Sequence, residues 1–252
     1  MVRKPRVKSA NGIYHIVMRG INKQTIFEME EDKHKFLETL LRYKQVSRFE
    51  LYSFCLMDNH VHLLLKESHE TVSQFMKRIC SSYVYWYNQK YDRCGHLFQE
   101  RYYSDCVQTL SSFFAVLRYI HQNPLKAGVV EDVWESKWTS IHDYLENGNR
   151  IDKEKVLKLF STERKVAIEK YLALMEETKS EPKIRYEKPV KLTDDEVRNR
   201  LLLQGIPNSS MLQRMEKRKR NQLLVDLKGV EGVSIRQIAR ITGLSKSLIG
   251  RL

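Results

Sequence analysis

Residues 57–66 read MDNHVHLLLK, and this stretch restricts the possible folds more than any other. In a strand, residues i and i+2 point to one face, with Cα atoms about 7 Å apart. His60 and His62 then project side by side, while Val61, Leu63 and Leu65 face the other way. One face has to be buried under helices and the other has to accommodate two imidazoles. Two imidazoles on one side can converge on a divalent ion. The ordinary reading of the same spacing is a pair of half-exposed histidines bonded to neighbours, and spacing alone favours that one. Met57-Asp58-Asn59 reads as a tight turn back from a preceding strand, FELYSFCLM (49–57).

The segments around this hairpin alternate in character. GIYHIVMRG (12–20) is β-branched, aromatic and bounded by glycines, and so reads as a strand. EEDKHKFLETLLRYKQV (30–46) sets Phe36, Leu37, Leu40 and Leu41 on one helical face. HETVSQFMKRICSSYVYWYNQKY (69–91) repeats that pattern with Val72, Phe75, Met76, Ile79, Tyr83 and Trp86. RYYSDCVQT (101–109) is a fourth strand candidate. SSFFAVLRYIHQNP (111–124) reads as a helix ending near Asn123, because a residue before proline avoids helical angles. The order β-α-β-β-α-β-α fits an α+β fold: an antiparallel ferredoxin-like sheet with packed helices.

KAGVVEDVWESKWTSIHDYLENGN finishes this domain, its two tryptophans packing as a closing flap. Beyond it, DKEKVLKLF and TERKVAIEKYLALMEE read as helices, and 180–191 reads as a linker. The final sixty residues are helical and basic: 191–204, capped by Thr193 with Glu196 three residues on, then 209–228, then 234–252. The expected division is residues 1–146, a connector over 147–190, and an all-α domain over 191–252.

The formal net charge is +13, and the positive residues cluster, which favours a polyanionic partner. Cys55, Cys80, Cys94 and Cys106 form no CxxC pair and read as small buried hydrophobes in a reducing compartment. No apolar run approaches a membrane span, and the basic N-terminus has no apolar segment behind it. A cytoplasmic location without membrane association is expected.

Two further motifs bear on chemistry. In RYIHQNP (118–124), Tyr119 and Asn123 are four apart and share a helix face. A tyrosine oxygen is a competent nucleophile at phosphorus, and an amide oxygen is a hard ligand suited to Mg²⁺ or Mn²⁺. The ordinary reading is a core aromatic and a helix cap. SIRQIARITGLSKSLIGRL (234–252) has the spacing of a helix-turn-helix: Ala239 where helices cross, Gly243 at the turn, Leu244, Ile249 and Leu252 inward. Ser245, Lys246 and Ser247 then open the second helix, where side chains reach bases or phosphates, with Arg251 beyond them. Arg218, Lys219 and Arg220, in RMEKRKR, are candidate phosphate contacts, as are Arg3, Lys4 and Arg6 of the N-terminal arm, which reads equally as a tail. The series Tyr83, Tyr85, Trp86 and Tyr87 could stack bases but reads mostly as core. Gln99, Glu100 and Arg101 are candidates to line the site.

MDNHVHLLL, followed about sixty residues later by RYIHQNPLKAGVV, resembles the single-tyrosine HUH transposases, closest to the REP-associated branch related to IS200-type elements. GIYHIVMRG and GHLFQERYYS are also similar to that branch, and the resemblance spans roughly residues 10–145. It implies a ferredoxin-like (RRM-like) sheet with both histidines on a central strand, and binding of hairpin or single-stranded DNA with a divalent metal. It further implies attack by the tyrosine on a phosphodiester to form a 5′-phosphotyrosine. Residue by residue, His60 and His62 match the metal pair and Tyr119 the nucleophile. Asn123 matches the polar third ligand, a longer glutamine in the IS200 members, and alternatively contacts metal-bound water or DNA. The helix-turn-helix, which would bind duplex DNA, is an addition that minimal members lack.

Two classes of function follow. One is a metal-dependent DNA strand transferase, acting as monomer or homodimer. The other is a catalytically silent, domesticated DNA-binding regulator using the helix-turn-helix; retention of His60, His62 and Tyr119 argues for the first. An RNA-binding protein is a weaker third reading, since the usual aromatic strand signature is not evident.

Overall fold

The computed structural model describes residues 6–99, 101–146, 148–177, 192–206, 209–230 and 233–252. The chain divides into two compact units, Met1–Ile184 and Arg185–Leu252. Arg3, Lys4, Glu100 and the segment 180–191 lie outside the described residues.

The first unit runs β1 (Ile13–Arg19), α1 (Glu30–Ser47), β2 (Glu50–Met57), β3 (His60–Lys66), α2 (Val72–Lys90), β4 (Tyr103–Cys106) and α3 (Leu110–Lys126). α4 (Lys153–Phe160) and α5 (Arg164–Glu176) follow. The four strands form one antiparallel sheet in the order β2-β3-β1-β4, the ferredoxin-like arrangement, with β3 and β1 central.

Strand alternation decides which face each helix covers. Ile16, Met18, Val61, Leu63 and Leu65 share one face and are almost wholly buried. At about 1.5–3 kcal/mol for each fully buried aliphatic side chain, this face is a principal source of stability. α1 and α2 cover it: Cys80 Sγ lies 3.5 Å from Met18 Sδ, Phe75 stacks on Phe49 with centroids 4.4 Å apart, and the Tyr83 hydroxyl donates to Ile26 O at 2.6 Å. α1 starts on the fully buried Asp32, whose carboxylate accepts from the Glu28 and Met29 amides and pairs with Lys90 Nζ at 2.6 Å. Burial works against its charge, but these bonds hold Asp32 below the usual carboxylate range.

α3 lies across the opposite face of the sheet. Thr109 Oγ1 caps its first turn, accepting from the Ser112 amide at 3.1 Å. The expected stop at Asn123 does not occur. Pro124 sits inside the helix, which continues to Lys126, and the Ala127 amide bonds Asn123 O at 3.0 Å. The proline removes one late hydrogen bond, and packing on both sides of α3 outweighs that loss. Behind it, Gln122 donates to Met175 O at 2.7 Å and Phe160 packs on Phe114 at 4.4 Å. α4 and α5 therefore pack on α3. Trp134 and Trp138 are partly buried against the core, and the Leu56 amide donates to Trp138 O at 2.9 Å.

The second unit holds α6 (Asp194–Leu203), α7 (Ser209–Arg214), α8 (Lys217–Gly229), α9 (Ile235–Thr242) and α10 (Lys246–Arg251). Thr193 and Glu196 form the expected capping box on α6. The single helix expected over 209–228 is two helices broken at Met215–Glu216. A straight helix would hold Leu212 about a third of a turn from Leu224; the break lets both enter the core of Val197, Leu201, Leu227, Ile238 and Ile249. Gly243, at φ 70°, makes the left-handed turn between α9 and α10. Arg240 clamps Asp194 of α6 with two bonds, at 2.6 and 2.8 Å. No helix among the described residues is long and apolar enough to cross a membrane.

Candidate active site

The site grows from the register of the central strands. Arg19 pairs with His60, Val17 with His62 and His15 with Leu64, so His15, Arg19, His60 and His62 share the face that α3 crosses. The covering helix turns Tyr119 and Asn123 onto that face. Asn123 Oδ1 lies 3.2 Å from His60 Nε2. The Tyr119 ring meets His62 edge-on at 5.4 Å between centroids and His15 at 6.1 Å. The four residues expected to act together, His60, His62, Tyr119 and Asn123, are thus neighbours, and Asn123 lies within the helix, not at its cap.

Each histidine is anchored through Nδ1. His60 Nδ1 is 2.6 Å from Asn59 Oδ1, and His62 Nδ1 is 3.1 Å from His15 Nε2. In the tautomers that donate both Nδ1 protons this way, both Nε2 atoms carry lone pairs. His60 Nε2 then faces Asn123 Oδ1 as one acceptor facing another, a contact that a cation converts from repulsion into chelation. Burial pushes His15 down to about 3 and His60 down to about 4; Asn123, which can accept from the protonated His60 ring, opposes this, the Arg19 charge adds to it and Asp58 opposes it. His62 is held well below its ordinary value by burial first, then by His60, His15 and Arg19. All three rings are neutral near pH 7, the form that ligates metal. Among the described residues no three His, Cys, Asp or Glu side chains cluster as a metal site. The Asn123 amide oxygen, beside His60 Nε2, is one group here that could serve as a third donor.

Three participants escaped the sequence reading: His15, Arg19 and Lys126, whose Nζ lies 5.2 Å from the Tyr119 ring centroid. A signal for the first two was present, since both interrupt an apolar strand at i and i+4 and so share a face. The segment expected to line the site does run beside it: the Gln99 amide donates to Arg19 O at 2.8 Å, and Phe98 bridges Gly20. Arg101 is exposed.

The other expected nucleic-acid contacts fall elsewhere. Arg6 lies over the Tyr102 ring at 3.7 Å and donates to Tyr102 O, so it is anchored to the sheet edge. Tyr83 and Tyr87 are core, Trp86 is partly buried and Tyr85 is exposed. In the second unit Arg218, Lys219, Lys246, Ser247 and Arg251 are exposed, Arg220 is partly buried, and Ser245 caps α10 through the Leu248 amide.

Residues 8–123 match the family described as "Transposase IS200 like". Similar solved structures include a REP-associated tyrosine transposase bound to a REP hairpin, 16% identical, covering 60% of this chain and 94% of that one, with a TM-score of 0.49. Another is a candidate transposase from Deinococcus radiodurans R1, 19% identical, covering 48% of this chain and 97% of that one, with a TM-score of 0.33. No curated protein matches the sequence. The matched residues 8–123, somewhat under half of the chain, contain the four-stranded sheet, and over them the chain is similar to the IS200-like transposases.

Proposed function

We propose that the protein is a metal-dependent DNA strand transferase that cuts and rejoins single-stranded or hairpin DNA through Tyr119. The observation that carries this reading is the meeting on one sheet face of a phenol with two neutral imidazoles and an amide oxygen. His60 Nε2, His62 Nε2 and Asn123 Oδ1 would hold Mg²⁺ or Mn²⁺. Bound there, the ion supplies Lewis-acid polarisation of a phosphate oxygen.

The chain's own residues do the rest. The Tyr119 phenol loses its proton and its oxygen forms a bond to phosphorus. The P–O3′ bond breaks, and the departing oxygen takes up a proton. The products are a 5′-phosphotyrosine and a 3′-hydroxyl. Rejoining reverses this: a 3′-hydroxyl attacks the phosphotyrosine and the phenol is released, so no external energy source is needed. Lys126, over the ring, adds positive charge where negative charge develops. His15 and Asn59 fix the orientation of the two ligating rings. The helix-turn-helix of α9 and α10 would hold duplex DNA through Ser245, Lys246, Ser247 and Arg251, with Arg218, Lys219 and Arg220 on phosphates. Arg3, Lys4 and Arg6 are proposed as further backbone contacts.

The test is a denaturing gel after incubating labelled single-stranded and hairpin DNA with Mn²⁺. The wild type forms a covalent protein–DNA band, Tyr119→Phe binds DNA but forms none, and His60→Ala does not cleave. Tyr119 is only 5% exposed. That observation favours the second reading, a DNA-binding regulator working through the helix-turn-helix. Absence of the wild-type band with every substrate would leave that second reading.

A further inference from the structure

Arg19 closes β1 on the same face as the histidines, directly opposite His60. Its main chain is held on both sides: Arg19 O accepts from the Gln99 amide at 2.8 Å, and the next amide, Gly20, donates to Asn59 O at 2.9 Å. Its side chain is treated differently from other arginines of this unit. Arg118 meets Glu177 at 2.7 Å and Arg150 meets Asp143 at 2.8 Å, while Arg78, whose Nε is likewise buried and unbonded, has its charge paired with Glu70. Arg19 is partly buried and makes no ion pair with a described residue, and its Nε is buried without a hydrogen-bond partner. Its positive charge nevertheless reaches both His60 and His62.

A buried donor left unbonded is destabilising unless a ligand supplies the acceptor. An anionic acceptor is the best match at this position, because the guanidinium is permanently charged and the surrounding imidazoles are neutral. Its planar fork suits two oxygens of one tetrahedral anion.

We propose that Arg19 binds the DNA phosphate attacked by Tyr119, donating to its non-bridging oxygens. This rests on the strand-transfer reading above and adds the residue that meets the charge building up on those oxygens. Arg19 only donates hydrogen bonds; the bonds made and broken at phosphorus, and the protons moved, are those already given.

The experiment compares wild type, Arg19→Gln and Arg19→Lys as full-length chains on labelled single-stranded DNA with Mn²⁺. Arg19→Gln is expected to slow adduct formation about 10²- to 10³-fold at saturating DNA. Arg19→Lys, which keeps charge but not the fork, should recover part of that. Because glutamine relieves an unbonded buried donor, Arg19→Gln should melt no lower than wild type. On DNA with a neutral methylphosphonate at the scissile link, the advantage of arginine over glutamine should vanish. Adduct formation by Arg19→Gln at the wild-type rate, or an equal defect on methylphosphonate DNA, overturns the assignment. A readout free of chemistry is the Arg19 Nε–H resonance in Tyr119→Phe, which should shift when the oligonucleotide is added. A shift with no adduct from wild type leaves the anion site standing and removes strand transfer. An adduct with no shift and no effect of Arg19→Gln removes the anion site alone.

Discussion

His121 lies two residues from Tyr119 on α3, yet it serves the other side of that helix. Its Nε2 is 2.9 Å from Ser140 Oγ, its Nδ1 is 3.2 Å from the Tyr171 hydroxyl, and it has no solvent exposure. A histidine beside a serine hydroxyl invites a catalytic reading; complete burial makes it a structural bond between α3, α5 and the 139–141 segment. Burial, with a smaller effect of His142, pushes His121 from 6.5 down to about 3. A depressed histidine stabilises the fold fully above its unfolded value and loses that contribution as pH falls below it. At pH 7.5 the ring is neutral in both states and adds no pH dependence. At pH 5 the unfolded ring is protonated and the folded ring is not, which costs about 2 kcal/mol by linkage. His121→Gln keeps hydrogen-bonding capacity but cannot titrate. The three tryptophans, at 86, 134 and 138, all lie in the first unit, so their fluorescence reports its unfolding alone. Urea unfolding at pH 7.5 and pH 5 should show the wild type losing about 2 kcal/mol more than His121→Gln. Histidines 15, 60 and 62 titrate in both proteins and cancel. Equal losses in the two proteins would refute the claim that burial holds His121 neutral.

Other outcomes follow from the site and from the second unit. His15→Phe removes the acceptor for His62 Nδ1 and should weaken Mn²⁺ binding about 10- to 100-fold by calorimetry, while His15→Gln, which can still accept, should lose much less. A Cβ on Gly20 would lie 2.1 Å from Gln24 O, so Gly20→Ala should cost about 1–3 kcal/mol in urea unfolding and disturb the backbone that carries Arg19. If the helix-turn-helix grips phosphates, Lys246→Ala should lower duplex affinity evenly across sequences and reduce the salt slope by about one, measured by fluorescence anisotropy. An unchanged slope would remove Lys246 from the interface.

How much of this was legible in the sequence depends on the distance over which the information is carried. Strand alternation is local, so the histidine face and the apolar face of β3 could be read from ten residues. The ferredoxin-like order followed because three helical and four strand-like periodicities left few alternatives. The chemistry on β1 was not read, although its alternation is just as plain: Tyr14, Ile16 and Met18 are core, and His15 and Arg19 are the polar interruptions of the other face. Their meaning appears only when β1 is laid antiparallel beside β3, which sets Arg19 against His60 and brings His15 within 3.1 Å of His62. That pairing is implied by the fold itself, so the fold inference could have been turned back on the sequence to find both residues. The errors in helix boundaries have a different origin. Pro124 within α3 and the break after α7 are settled by what packs around them, Met175 and Phe160 in one case and a small leucine core in the other. Such contacts connect residues tens of positions apart, and no local rule contains them. The same physics makes α3 the decisive element. Buried on one side against α5 and His121's partners, it has no freedom to turn, and its other side must then offer Tyr119 and Asn123 to the histidines.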